Sequence, residues 1–410
     1  MNQEKQDTNY GWMILTILLF SQTILSMGAY GWGPLGPFLK KSLLLTSVQI
    51  GSLTSILYLT SVVFSIPAGM SVDRWGAKVN LFICMMLMGI PLILASFIGN
   101  YIFLLILIAF TGASYGMINP IAARGLTLWF DTKSRATAFG IRQTGVPAGG
   151  AIAGVLLIYL AQMRDWSLAV FVVGLLSIGI GVIGFFLYRE FPHEARGISI
   201  PEQGTKKGMS LMDLVRNRNL LLTFLMMTLL CLGQSSISAF LVLYLKEHLH
   251  FPAIQAGSFL TLAMITGGAG RIFWGVVSDK LFKGRRLPVM KIVCALATIS
   301  ALAAGLWTPG LTHYLFIIVV VFFGLSFLGF QGVAVTMLVE VCGPELAGRA
   351  TGLGVTIAWA GMVLGPLVYG AIVTLGYSYA WLFVGVAALG ATLLCQAIHE
   401  TDLDEVMNSQ

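Results

Sequence analysis

The 410-residue sequence predicts an all-α membrane protein, with twelve transmembrane helices arranged as two pseudo-symmetric six-helix bundles. Three observations predict it. The chain is 57% hydrophobic and only 10% charged, where soluble domains carry about a quarter charged residues, and its mean hydropathy is +0.87. The apolar residues fall into twelve runs, each close to the ~20 residues that cross a ~30 Å hydrocarbon core. Motifs at the ends of runs in the first half recur at equivalent places in the second, the mark of two units related by an axis along the membrane normal.

The first run, 12–36, follows a tail of mixed charge from Met1 to Tyr10. It is too long for a signal-peptide core and lacks a small-x-small cleavage site, so it is expected to stay as span 1. Runs at 47–70, 80–98, 101–124, 136–161 and 166–187 supply spans 2 to 6, and runs at 219–245, 254–277, 288–308, 313–338, 350–375 and 379–398 supply spans 7 to 12. Runs of this length are helices, because barrel strands would alternate over ~10 residues and other open backbone is unsatisfied in lipid. Between the halves lies a polar stretch with Pro192, Gly197, Pro201, Gly204 and Gly208, which reads as a linker. The chain thus divides into an N-terminal six-helix bundle (1–188), a cytoplasmic linker (189–218) and a C-terminal six-helix bundle (219–410).

Twelve spans put both termini on one side. Of the 24 Lys and Arg residues, eighteen lie in tails, linker and loops on that side, while Lys40, Lys41, Arg164 and Lys246 lie on the other. The asymmetry places both termini in the cytoplasm of a multi-pass plasma membrane protein, and the short tails and loops suit a bacterial inner membrane. The net charge of +7 is therefore a matter of topology and not a nucleic-acid footprint. The five cysteines are odd in number, scattered and mostly within apolar runs. They read as small buried hydrophobes, not as a disulfide framework or zinc site. His193, His248, His250, His313 and His399 sit in loops or at helix ends. No phosphate-binding loop, metal-ligand spacing or nucleophile constellation is visible, which excludes an enzyme, a cofactor and ATP-driven work by this chain alone.

The internal repeat is specific. Gly69-Met70-Ser71-Val72-Asp73-Arg74 after span 2 matches Gly275-Val276-Val277-Ser278-Asp279-Lys280 after span 8. Ser134-Arg135-Ala136-Thr137-Ala138-Phe139-Gly140 before span 5 matches Gly348-Arg349-Ala350-Thr351-Gly352-Leu353-Gly354 before span 11. Trp166 with Phe171 and Trp381 with Phe383 make a weaker third pair. Gly69 to Lys78, with Asp73, Arg74, Gly76 and Lys78, is similar to the loop 2–3 motif of the major facilitator superfamily, and the resemblance covers essentially the whole chain. It implies that family's fold. It also implies that Gly69, Asp73, Arg74 and Lys78, with Gly275, Asp279, Lys280, Arg135 and Arg349, form a cytoplasmic latch that holds the halves together in the outward-facing state. The plainer alternative is a set of positive-inside loops with incidental charge.

Charges inside the membrane carry the functional argument. Arg142 lies seven residues into span 5 from Arg135, roughly 10 Å deep at 1.5 Å per residue. Arg271 lies eight residues before Asp279 in span 8, about 12 Å deep on the same scale. Each would cost ~2.5–3.5 kcal/mol facing lipid, so both should face protein or a watered cavity. All seventeen acids fall in loops, tails or helix ends. Two intramembrane guanidinium groups without acidic partners form a positive site whose natural counter-ion is an anionic ligand. The alternative is a structural arginine bonded to backbone carbonyls, and Arg124, at the end of span 4, reads as an interface anchor.

Span 8, Gly267-Gly268-Ala269-Gly270-Arg271-Ile272-Phe273-Trp274-Gly275, resembles that helix in monocarboxylate transporters and oxalate:formate exchangers, where an arginine here binds the substrate carboxylate. The resemblance makes Arg271 the expected substrate anchor and transfers nothing to Arg142. Gln22, Tyr30, Tyr58, Tyr115, Asn119, Gln143, Gln234, Gln331 and Trp359 are the polar and aromatic residues that would shape the pocket. Any one of them alone is as apt to bridge helices as to touch a ligand.

The expected function is secondary transport of a small organic anion, a carboxylate first of all, by alternating access. Anion exchange and proton symport both stay open, since no buried acid or histidine offers to carry the proton. The expected partners are the small anionic substrate, a proton or counter-anion, and membrane lipid, with the protein a monomer. Efflux of drugs or amphiphiles is the nearest rival. The span-4 arginine of proton-coupled drug exporters is absent near Ile108, Gly145-Val146-Pro147-Ala148-Gly149-Gly150 matches the antiporter motif only in part, and a cation would need a buried carboxylate. Inorganic anions such as nitrate or cyanate are a second rival. A membrane receptor or scaffold is a third, which would need more surface outside the bilayer.

Overall fold

The computed structural model describes residues 2–131, 134–190, 217–308, 315–342 and 347–398, and every regular element within them is helical. Eleven segments are long and apolar enough to cross a membrane. One of them, Ser47–Ala95, is two spans in one: Gly76 interrupts it at φ 79° and ψ 172°, so it holds spans 2 and 3 and the described residues make up twelve spans. The others are span 1 (Tyr10–Leu43), span 4 (Tyr101–Trp129), span 5 (Thr137–Met163), span 6 (Trp166–Leu187), span 7 (Arg218–Glu247), span 8 (Ala253–Lys280), span 9 (Leu287–Gly305), span 10 (Phe316–Glu340), span 11 (Thr351–Ile372) and span 12 (Tyr377–Gln396). The expected linker lies outside the described residues except at its two ends.

Span 1 outruns its apolar stretch. After Gly31 the helix resumes as Trp32–Leu43, with Lys40 and Lys41 in its last turn, where cations complement the helix dipole and long stems reach out of the apolar layer. Helix starts are set by side-chain caps. Thr46 and Gln49 form a reciprocal capping box at span 2. Asn100 accepts from the Ile102 N–H at 2.9 Å, and Asn217 from the Leu220 N–H at 3.2 Å. Asp165 caps span 6 through the Ser167 N–H, and its carboxyl is held below the usual range, first by the Ser167 hydroxyl.

Calling the end where the chain enters span 1 the base, odd spans climb from it and even spans return. The halves meet along spans 1 and 7, 2 and 11, and 5 and 8. Their contact lies toward the far end. There, side chains at Gly51 and Gly370 would run into the Pro366 and Ser47 carbonyls, and Gly154 packs directly on Gly257, so the backbones touch only because these positions are glycine. Lys40 Nζ lies 2.7 Å from Glu247 Oε2, which also accepts from the Tyr377 hydroxyl at 2.7 Å, an ion pair across the halves. At the base the same helices stand apart, with open space around Gly69, Gly140, Gly275 and Gly352. There Arg124 pairs with Asp73 at 3.5 Å within the N-terminal half, and Arg286 pairs with Glu340 at 3.1 Å and with Asp279 within the C-terminal half. Arg135 donates to the Thr127 carbonyl at 3.1 Å, the Lys78 N–H donates to Glu190 at 2.6 Å, and the Arg349 side chain lies outside the described part.

Candidate functional site

Eight spans converge on one cavity between the halves. Each contributes a side chain because helical spacing turns every third or fourth residue to the same face, as with Tyr115 and Asn119 on span 4. Ten of the eleven residues that the sequence singles out line it: Gln22, Tyr30, Tyr58, Tyr115, Asn119, Gln143, Gln234, Arg271, Gln331 and Trp359. Ile118, Val146 and Met362 complete the wall. Tyr58 meets Tyr115 and Trp359 edge-on, with ring centroids 6.4 and 6.1 Å away. Baseward the space widens into a cavity of about 370 Å³ that shares Asn119, Gln143, Arg271, Gln331 and Trp359 and adds Met227, Cys231, Phe330, Val335, Val355 and Ala358.

Arg142 alone of the eleven does not line this space. It is 3% exposed and sits behind the wall of the N-terminal half. Its Nη1 donates to Asn119 Oδ1 at 3.0 Å and Gln143 Oε1 at 3.3 Å, and its Nη2 donates to Gln22 Oε1. Its Nε is buried without a partner. Gln22 in turn donates from Nε2 to Ser26 Oγ at 3.0 Å. Arg271 is placed differently. Its Nε donates to the Leu328 carbonyl at 3.3 Å, which fixes the plane of the guanidinium, while its two terminal nitrogens bond to none of the described residues, and Arg271 lines both cavities. On the same wall, in the C-terminal half, Gln331 Nε2 donates to Gln234 Oε1 at 3.1 Å. Among the described residues neither arginine has a carboxylate partner, and no His, Cys, Asp or Glu cluster could hold a metal ion.

The apolar part of the wall escapes a reading of sequence. Met227, Cys231, Val335 and Met362 face the cavity, yet nothing in their chemistry separates them from the apolar residues that face lipid.

A family model described as Major Facilitator Superfamily matches residues 18–359. The membrane sensor protein UhpC of Salmonella typhimurium is 26% identical over 347 residues, covering 80% of this chain and 77% of that protein. The probable sulfoacetate transporter SauU of Cupriavidus necator is 26% identical over 285 residues, covering 66% and 65%. The D-galactonate transporter of Escherichia coli O6:H1 is 25% identical over 317 residues, covering 69% and 71%. Among solved structures, a bacterial homolog of the human lysosomal transporter Spinster, inward-facing and occupied, superposes with a TM-score of 0.80 at 16% identity, covering 96% of this chain and 98% of that one.

Proposed function

Because the chain belongs to the Major Facilitator Superfamily, we propose that it is a secondary active transporter of a small organic anion, a carboxylate first of all, that works by alternating access. The observation that carries this is Arg271. Its side chain lines a cavity between the halves, deep in the membrane-spanning region, and no carboxylate among the described residues answers its charge. A guanidinium offers paired donors in one plane, which is the geometry a carboxylate or sulfonate accepts. Two of the relatives are similar in this respect by name, one a transporter of D-galactonate and one a probable transporter of sulfoacetate.

With the termini taken as cytoplasmic, as the lysine and arginine distribution argues, the closed far end and the cavity that widens toward the base support the reading of this conformation as inward-facing. The anion would leave or enter from the cytoplasm here. Closure at the base would then engage the latch around Asp73, Arg74, Asp279 and Lys280. The similarity to a membrane sensor protein favours a second reading, a receptor that recognises the anion without moving it.

Thermal stability of the purified protein against carboxylates, sulfonates, nitrate and cationic drugs, with Arg271→Gln alongside, tests the anion site. Stabilisation by an organic anion that disappears in Arg271→Gln is the expected result. Stabilisation by cationic amphiphiles alone, unchanged in the variant, would sink it. Uptake of the same anion into proteoliposomes separates the transporter from the receptor.

A further inference from the structure

Resting on that anion reading, we propose that Arg142 is a positioning residue that never touches the ligand, and that the carboxamides it turns fit the cavity to an oxygen-rich acid, a carboxylate bearing several hydroxyl groups. The argument begins with what a guanidinium can do. It has five donors and no acceptor, so a carboxamide bonded to it must offer its oxygen and point its NH₂ group away. Arg142 holds three such oxygens, on Asn119, Gln143 and Gln22. One N–H of the Gln22 amide goes to Ser26. The amide nitrogens of Asn119 and Gln143 have no partner among the described residues, and both residues border the narrow and the wide cavity. The wall of the N-terminal half therefore presents N–H donors to the ligand although no charge on that wall is in reach.

The facing wall is complementary in kind. Arg271 offers its two terminal nitrogens, and Gln331, having given one N–H to Gln234, has a carbonyl oxygen that accepts from none of the described residues. A carboxylate satisfies Arg271, but the rest of the ligand must then accept from Asn119 and Gln143 and donate to Gln331. A hydroxyl does both. An alkyl chain does neither, and it would seal those groups away from water without partners. Without Arg142 nothing holds the two carboxamides in one orientation, and each is free to turn its oxygen inward against the oxygens of the ligand.

The test compares two six-carbon acids, gluconate and hexanoate, by titration into the purified full-length protein in nanodiscs. In the native protein gluconate binds more tightly. In Arg142→Gln the gluconate-to-hexanoate affinity ratio falls by about tenfold, the scale of one lost hydrogen bond, while hexanoate itself changes little. Arg271→Gln loses both acids. Asn119→Leu leaves Arg142 bonded to Gln22 and Gln143 and reproduces the fall in ratio, so it carries the test if Arg142→Gln fails to fold. Equal loss of both acids in Arg142→Gln would make that residue a direct anchor and overturn the inference. A ratio unmoved in both Arg142→Gln and Asn119→Leu also overturns it. Native protein that prefers hexanoate, or that binds only anions without hydroxyl groups, overturns it and leaves the anion reading standing, whereas native protein that binds no anion at all removes both.

Discussion

At the scale of the residue, Gly76 separates two spans through backbone alone. Its φ of 79° lies in the region that L side chains avoid, and a Cβ there would also meet the Glu190 carboxylate, the same carboxylate that accepts the Lys78 N–H at the start of span 3. Gly76→Ala therefore combines backbone strain of roughly 1–3 kcal/mol with displacement of a helix cap. A lower melting temperature that Glu190→Ala does not lower further is the expected result, and a variant as stable as the parent would refute the account. Residues of this kind differ in how well sequence exposes them. Arg271, Gln234 and Tyr58 stand out because polarity is rare in an apolar span and must be accounted for somewhere. Arg142 stands out equally, yet its place behind the wall follows from a rotation of about 100° between neighbours on span 5 and from partners on three different spans, neither of which polarity records. The cavity's Met227 and Met362 carry no signal at all.

At the scale of the element, the twelve spans and their order were legible from hydropathy, since lipid forces every backbone group into helix. What was hidden is how pairs of spans use their two ends. Spans 2 and 11 touch at Gly51 and Gly370 and part at Gly69 and Gly352, although glycine marks both ends in the sequence. The far end adds the Lys40 to Glu247 bridge with Tyr377, which the sequence shows only as loop charge on opposite halves. Breaking that bridge should let the far end part, and a bulky side chain at the base should prevent closure there. Spin labels at Ser42, in the last turn of span 1, and at Thr374, just past span 11, report the difference. Glu247→Gln is expected to add a population at longer distance, and Gly352→Phe to leave only the short one. An unchanged distance distribution in Glu247→Gln would mean that the glycine contacts hold the far end closed without the ion pair.

At the scale of the whole molecule, the cavity couples occupancy to movement. To return empty, the two halves must close around Arg271 with no anion on its terminal nitrogens and no carboxylate among the described residues to replace it. An intramembrane arginine costs ~2.5–3.5 kcal/mol on the insertion scale, and every 1.4 kcal/mol is tenfold in rate, so the empty return is slower than the loaded one by about two orders of magnitude if the charge stays bare. A ligand anion removes that cost, and so does any other anion that fits. Proteoliposomes loaded with labelled substrate should therefore release it slowly into plain buffer and much faster into buffer that contains the same substrate unlabelled. If a proton accompanies the anion instead, release into plain buffer quickens as the pH falls while exchange does not. Equal rates with and without external substrate, at every pH, would mean that closure does not feel the charge of Arg271, and water or lipid headgroups entering from the base would then have to screen it.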